Sequence, residues 1–546
     1  MDNAIKDILG RGNRVLDQRD SLLSLWQTLS ELFYPERADF TVQRFLGDEM
    51  NNGLYTSYPI MVRRDLGNAF STMLRPKEKE WYRMEADAND IDHAAKIWLH
   101  EKSNHMYKIM YRKGTGFVRR TKELDHDFAT FGQGVMQLRP TPNYDNIYYE
   151  THHLKNVGWM EGFDGEINEV HRKQNIPAAI LIKVFGSDNV SQKVRDCCND
   201  AKKDPYTKIN CRHAMIPVEE YHDDKYSRFK WVSYWIDVEN EHIMEERGSN
   251  RLEYIIPRWA TVAGSQYAHS PASITARPDA EVINQMSATL LEAGEKTVNP
   301  PLVGVEEMIT SPIDNIAGGM SWIDAEYDGR LEDVLRPIQQ NYSGIPVGLE
   351  MLQDSREMIA SAFYLDKLTL PPAEHEMTAT EVTRRVEEYV RKALPLFEPL
   401  EENYNAALCE ETFKLLFEMG AFGSTLDVPK SLLEAEVEFK FESPLHDSIE
   451  EMKASRFVQA AELLRTAVEL DASATVNLNV DVALREAFEG IKVNPEWMPS
   501  EEEVIYQKQQ IKQQNDTMNQ LEAAKQATEV MGNAGQATQA LQAAEG

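Results

Sequence analysis

Met377-Thr-Ala-Thr-Glu-Val-Thr-Arg-Arg-Val-Glu-Glu-Tyr-Val-Arg-Lys392 decides how this 546-residue chain is read. Val382, Val386, Tyr389, Val390, Ala393, Phe397 and Leu400 keep one apolar face at helical spacing. Glu381–Arg385, Glu387–Arg391 and Glu388–Lys392 are i,i+4 pairs on the outside, each with the acid N-terminal to its base. The pattern runs to about Met419, with kinks or breaks expected at Pro395 and Pro399. Roughly 40 straight helical residues would span ~60 Å.

Working outward, the helix follows a loop from Asp366 to Glu376. Asp366, Lys367 and Leu368 enter it, Pro371 and Pro372 stiffen its centre, and Glu374, His375 and Glu376 leave it. At about 11 residues it exceeds most helix–helix connections. Two readings stay open from the residues alone: a mobile loop that meets a passing duplex, or an ordinary connection. Before it, helices are expected from Pro278-Asp279, with Ile283, Met286, Leu290 and Ala293 or Gly294 as the apolar stripe, and from about Val347 to Tyr364. Asn299-Pro-Pro301 stops the first. The turn- and strand-like residues 302–345 make a small module between the two.

The N-terminal half reads as helices, then strands. One helix is expected over residues 1–35, others over Ile60–Leu74, about Ile91–Met110 and Lys122–Phe131. Five runs rich in β-branched and aromatic residues read as strands: Gly134–Arg139, Ala179–Phe185, Ala214–Val218, Lys230–Ile236 and Leu252–Ile256. Glu436–Glu442 alternates cleanly and is expected to return as a strand to that earlier sheet. Helices follow from His446 to about Leu470 and from Val480 to Ile491. After Pro499 the chain is Gln/Ala-rich, with Val504, Ile511 and Met518 seven apart. That seam fits either a helix stabilised in an oligomer or a disordered tail.

Composition narrows the function. The chain carries 89 acidic and 58 basic residues, a net charge of −31. A tight nucleic-acid binder neutralises phosphates with Lys and Arg, so this is not one overall; on charge alone the surplus reads first as an aid to solubility, and, if it lines a passage, as a means of letting a polyanion slide. Cys197, Cys198, Cys211 and Cys409 have no zinc spacing and read as free thiols in a reducing compartment. No signal peptide and no membrane span of about 20 apolar residues is expected. There is no phosphate loop, no HExxH and no GxSxG. Gly114-Thr-Gly116 reads as loop punctuation. His152-His153 point apart and read as surface residues rather than a metal pair. Glu438-Phe-Lys440 is half of a nuclease constellation, but an exposed strand explains it better. No cofactor, no metal and no catalytic residue is assigned.

Several ordered blocks resemble the portal, or head-to-tail connector, proteins of short-tailed, T7-like bacteriophages over about residues 10–445. They are Arg19, Trp26 and Tyr34-Pro35; Asn68-Ala-Phe70, Met73-Leu-Arg-Pro76 and Trp81-Tyr82; Phe131-Gly-Gln-Gly134; Pro257-Arg-Trp259 through Gly264, Tyr267, Ser270-Pro271 and Pro278-Asp279 to Asn284; and Met377–Val382. Ala268 departs from the family's usual Gly. The resemblance implies a multi-domain α+β portal fold. Its parts would be a mixed α/β wing at 1–278, stem helices at 279–300 and 346–365 around a clip at 301–345, and a channel loop at 366–376. A long helix and return strand at 377–445, a crown at 446–498 and a C-terminal tail at 499–546 would complete it. The implied assembly is a ring, typically of twelve subunits, that passes double-stranded DNA. Its implied partners are the terminase large subunit, tail adaptor and tail proteins, major capsid and scaffolding proteins and internal core proteins, in the virion and, during assembly, in the host cytoplasm. The competing readings are a capsid or tail adaptor, or scaffold, that passes no DNA, and a metal-dependent nuclease.

Overall fold

The computed structural model describes residues 2–45, 47–50, 52–86, 92–141, 143–200, 203–220, 224–298, 300, 302–304, 335–337, 344–368, 400–424, 427–432, 437–441, 444–470, 478–491, 493, 497–500, 503–518 and 520. They fall into two compact units. The larger takes in residues 1–83, 104–423 and 439–448; the smaller takes in 84–103, 424–438 and 449–546.

The larger unit opens with two helices rather than the single one expected: Asp2–Asp17 (α1) and Asp20–Phe33 (α2). The break at Arg19 has a physical cause. Its guanidinium is buried and donates to the carbonyls of Leu154, Lys155 and Val157, the first at 2.8 Å. The cation caps a turn of carbonyls, and the helix bends there to bring it in. Helix Tyr58–Met73 (α3), strand Tyr82–Ala86 (β1), helix His93–Met110 (α4) and helix Phe117–Phe131 (α5) follow. Then come strands Val135–Pro140 (β2), Ile147–His152 (β3), Val157–Glu161 (β4) and Ile167–Pro177 (β5).

Ala179–Phe185, expected as a strand, lies in a helix, Ala178–Phe185 (α6), followed by Gln192–Asn199 (α7). A short apolar run cannot be told apart by periodicity alone. Here Ala178 and Leu181 are buried while Ile180 and Val184 are exposed, a helical repeat, and Gly186 closes it at φ +84°. Strands Lys208–Pro217 (β6), Trp231–Asp237 (β7), His242–Ser249 (β8) and Tyr254–Ile255 (β9) complete the set. β4 to β8 form an antiparallel meander in sequence order, and β3-β2-β9 a second sheet. The meander is buried on both faces. On one, Ile5, Ile8 and Leu9 of α1 pack on Ala214, Ile216, Val232 and Tyr234. On the other, Leu181 and Val194 of α6 and α7 pack on Ile209, Cys211 and Trp235.

A π-turn, Ala272–Ala276, leads into helix Arg277–Val298 (α8), and helix Ile345–Ala362 (α9) packs beside it. Gly348 allows the approach, since a Cβ there would lie 3.2 Å from Leu290. Of the intervening module, Leu302–Gly304 (β10) and Leu335–Pro337 (β11) are described and pair antiparallel. A second π-turn, Glu401–Ala406, precedes helix Ala407–Glu418 (α11), so the expected helix to about Met419 is met over these residues. Met377 to Pro399 lie outside the described residues. Strand Val437–Phe441 (β12) does not return to the earlier sheet as expected; it pairs with β1 in a two-stranded sheet of its own. Phe439 and Phe441 cover Tyr82 and Trp81, which fixes their choice of partner strand. Glu438 and Lys440 point outward, as the alternation implies.

The smaller unit contains most of α4 and of helix Pro444–Leu470 (α12), with helix Val480–Gly490 (α13) and helical residues 503–518. Lys508 pairs with Asp481, and Arg485 donates to the Pro499 carbonyl at 3.1 Å. Among the described helices none is long and apolar enough to cross a membrane.

Candidate functional site

Two of the sequence blocks that carry the resemblance, Phe131–Gly134 and the one that opens at Pro257, meet at the root of α8 and α9; Met377–Val382 lies outside the described residues. α5 ends in Phe131-Gly-Gln-Gly134. Gly132 sits at φ +74°, and a Cβ on it would fall 2.4 Å from the His269 carbonyl carbon. Only glycine supplies both that backbone and that clearance. The Gly132 carbonyl accepts from Trp259 N at 2.7 Å, and the Gln133 side chain accepts from Ala268 N at 2.8 Å. Ser270 donates to the Thr130 carbonyl at 2.6 Å. The turn therefore locks the 257–271 segment in place immediately before the π-turn that launches α8. Tyr267 completes the lock against Trp159 and Trp26, with ring centroids at 4.6 and 6.2 Å.

Aromatic rings carry the contact across the root. Tyr364 stacks on Trp259 (6.2 Å, 12° between planes), Trp259 meets Phe128 at 5.2 Å, and Phe128 meets Tyr404 at 5.5 Å. Phe363 is fully buried against Phe33. Tyr364 adopts φ +59°, a strained backbone for a bulky residue. Tyr404 lies just after the segment 369–399, and Tyr364 just before it. Both ends of that segment are thus fixed to one core.

Beneath the rings lies a buried polar cluster. Arg75 pairs with Asp125 and donates to the Asn405 side chain at 2.8 Å; Tyr404 donates to Asp125 at 2.9 Å. Burial pushes the Asp125 carboxyl up, and the Arg75 guanidinium pulls against that rise. On the same helix, Arg37 holds Asp127 with two hydrogen bonds at 2.9 and 2.6 Å. Arg63 donates to His126 Nδ1 at 3.2 Å while lying 3.9 Å over the Tyr34 ring. Burial and the neighbouring Arg63 lower His126 to about 4, so it is neutral near pH 7.

Of the residues named for the loop, Asp366, Lys367 and Leu368 belong to a helical turn, Leu365–Leu368 (α10), not to a loop. The Tyr364 carbonyl accepts from Lys367 N at 3.0 Å, and the Lys367 ammonium lies 5.1 Å over the Tyr364 ring. These contacts carry the helical path past the end of α9. Asp366 is exposed. Pro371, Pro372, Glu374, His375 and Glu376 lie outside the described residues.

His152, expected at the surface, is buried: its Nε2 meets the Arg172 guanidinium at 2.8 Å. The adjacent histidines do point apart. His153 accepts from Lys155 N through Nδ1 and pairs through Nε2 with Asp39 at 2.6 Å. The reason lies in the partner sheet, which covers the strand face that His152 occupies. Among the described residues no group of three or more His, Cys, Asp or Glu is gathered for a metal, and the four cysteines are free thiols.

Sequence reasoning missed Asp125, Tyr404 and Asn405. The run Asp125-His126-Asp127, set between Leu124 and Phe128 on a helix whose second half is buried, was the available signal.

The family model described as "Bacteriophage head to tail connecting protein" matches residues 6–498. The chain is also similar to the "Probable portal protein" of Bordetella phage BPP-1, 24% identical over 425 residues that cover 76% of this chain and 74% of that protein. Among solved structures it resembles a chain of the "Neck of empty GTA particle computed with C6 symmetry" (12% identity, TM-score 0.36, 77% of this chain and 92% of that one). It also resembles one of the "Neck of native GTA particle computed with C12 symmetry" (12% identity, TM-score 0.35, 74% and 85%). The chain belongs to the bacteriophage head-to-tail connecting proteins, a structural family of the virion. Its function is that of a connector at the capsid vertex, through which DNA passes.

Proposed function

We propose that the chain assembles into a closed ring, of twelve copies, around an axial channel for double-stranded DNA. The helix pair α8–α9 is its stem, residues 301–345 its clip, residues 1–278 its wing, and 446–498 its crown. The long helix and return strand, 377–445, lead back from the channel, and the tail, 499–546, extends past the crown. The segment 366–376, entered through the helical turn Leu365–Leu368, is the part that meets DNA.

The observation that carries this reading is the surface of the helix pair. Leu352, Ser355 and Ile359 of α9 are buried. Val347, Met351 and Met358 form a second, exposed stripe at i, i+4, i+11. On the opposite flank, exposed Leu291 and Leu349 line a groove with Tyr55. Two unlike apolar flanks on one pair fit a head-to-tail interface, which closes into a ring, and not a two-fold dimer. The ring docks the terminase large subunit during packaging and then tail adaptor and tail proteins, beside major capsid, scaffolding and internal core proteins. It forms in the host cytoplasm before it enters the virion, and it performs no catalysis itself.

Native mass spectrometry of the purified chain tests the assembly. A closed ring is expected, and Met351→Glu with Met358→Glu should release subunits. A stable monomer or dimer at micromolar concentration and every salt tried would sink the reading. An adaptor that passes no DNA would form a ring whose axial channel, seen in end-on averages, is too narrow for a duplex.

A further inference from the structure

The acidic surplus is not spread evenly. From Asn104 to Lys122 the chain carries six Lys or Arg and no Asp or Glu, within a protein of net charge −31. The residues gather at one turn. Lys108 lies at the end of α4, Arg112 and Lys113 in the turn, and Arg119 and Lys122 on the first turns of α5; all but Phe117, Thr115 and Thr121 between Arg112 and Lys122 are at least partly exposed.

The turn is rigid. Thr115 donates through its hydroxyl to the Met110 carbonyl at 2.7 Å, and its own carbonyl accepts from Tyr149 N at 2.9 Å. Gly114 and Gly116 hold φ +100° and +72°. The charges are mostly uncompensated. Glu123 takes Arg119 and Arg120, and Asp145 shares a small pocket with Arg112. Lys108, Arg112, Lys113 and Lys122 make no ion pair among the described residues. The first turn of α5 holds no acid, so Arg119 stands against the positive end of the helix dipole. Against that, Arg119 has its pair with Glu123, and Lys108, in the last turn of α4, lies at the favourable end of that helix.

We infer that this turn is a contact site for the phosphate backbone of double-stranded DNA, read without regard to sequence. The inference rests on the connector reading, and it adds an attractive surface to a protein whose overall charge repels DNA. The chemistry favours nucleic acid over protein. Protein interface cores are depleted in Lys and built on apolar anchors, whereas Val118 is the exposed large apolar residue between Lys108 and Lys122. Phosphates take Lys and Arg on a fixed backbone.

The test is fluorescence anisotropy of a short random-sequence duplex titrated with the full chain across a salt series, with ring formation followed by native mass spectrometry. The triple variant Lys108→Gln, Arg112→Gln, Lys113→Gln should keep the ring and its melting temperature. Its low-salt affinity should fall by about tenfold or more, and its log–log salt slope should become shallower by up to ~2.7, at ~0.9 for each phosphate no longer neutralised. Arg119→Gln with Lys122→Gln should do the same to a smaller degree. Lys193→Gln, on an exposed lysine paired with Glu239, should change neither. Unchanged affinity and slope in the triple variant would overturn the inference and leave the connector reading standing. So would wild-type rings that bind no duplex at low salt. Loss of the ring in the triple variant, with DNA binding intact, would make the turn a subunit contact instead. Absence of a ring in the wild type would count against the connector reading, while the duplex titration would still decide the site.

Discussion

At the scale of single residues, the root of the helix pair depends on a charge that has no route to water. Asp125 is fully buried between Arg75 and Tyr404. Removing the carboxylate leaves a buried guanidinium without its counter-ion, which costs about 3–5 kcal/mol. Removing only the Tyr404 hydroxyl deletes one hydrogen bond, worth about 0.5–1.5 kcal/mol. Asp125→Ala is therefore expected to lower the denaturation midpoint several times more than Tyr404→Phe, in chemical denaturation with an unchanged m-value. Equal losses in the two variants would show that Arg75 finds another partner. Gly132 was readable as a turn residue from Phe131-Gly-Gln-Gly134. Asp125 was not, because its role exists only once Arg75 and Tyr404, 50 and 279 residues away in sequence, arrive beside it.

At the scale of elements, the segment between Tyr364 and Tyr404 is held at both ends by one aromatic and ionic core. Described residues alone already join α8, α9 and the root to one another. Deleting Thr369–Ala373 is expected to leave ring assembly intact and to impair the DNA retained in assembled heads. Failure to assemble would make the segment a structural joint; normal filling would make it an idle connection. The strongly patterned elements were legible: α3, α8, α9 and α12 lie within a few residues of where apolar spacing put them. Elements whose identity is set by neighbours were not. Ala178–Phe185 has the composition of a strand and becomes a helix because Ala178 and Leu181 find Ile209 and Trp235. β5 and β8 escaped notice because Glu169, His171 and Arg172 in the one and Arg247 in the other break the apolar alternation, and their burial is satisfied by partners on other elements. For the candidate site, the blocks around Trp259 and Phe131 were visible in the sequence, but their convergence on Tyr364 was not.

At the scale of the whole molecule, the buried histidines set how the protein meets acid. His213 lies between Tyr254 and Ser233, with Trp235 against its ring, and His152 beside Arg172 and Gln137. Burial, then Arg172 and Arg139, holds both well below the ordinary imidazole value, and His126 is lowered to about 4. A histidine whose folded pKa is depressed stays neutral in the native state while the unfolded chain takes its proton. Stability is then insensitive to these groups above about pH 6.5 and falls as pH drops from there toward the depressed values. The melting temperature is expected to decline across that window, and His213→Gln to make the decline shallower. A slope unchanged in the variant would show that protonation is not excluded from the core.

The two π-turns have a consequence for descent. Each holds one residue more than an α-helix would need over the same path, and each stands where a helix leaves the shared root, at Ala272–Ala276 and Glu401–Ala406. A lineage that loses a residue there can close the bulge to a regular turn and keep everything downstream in phase. The same loss inside Arg277–Val298 would rotate the rest of that helix by about 100° and draw it back ~1.5 Å. Single-residue changes in chain length are therefore expected to be tolerated at the roots and not within the helices beyond them.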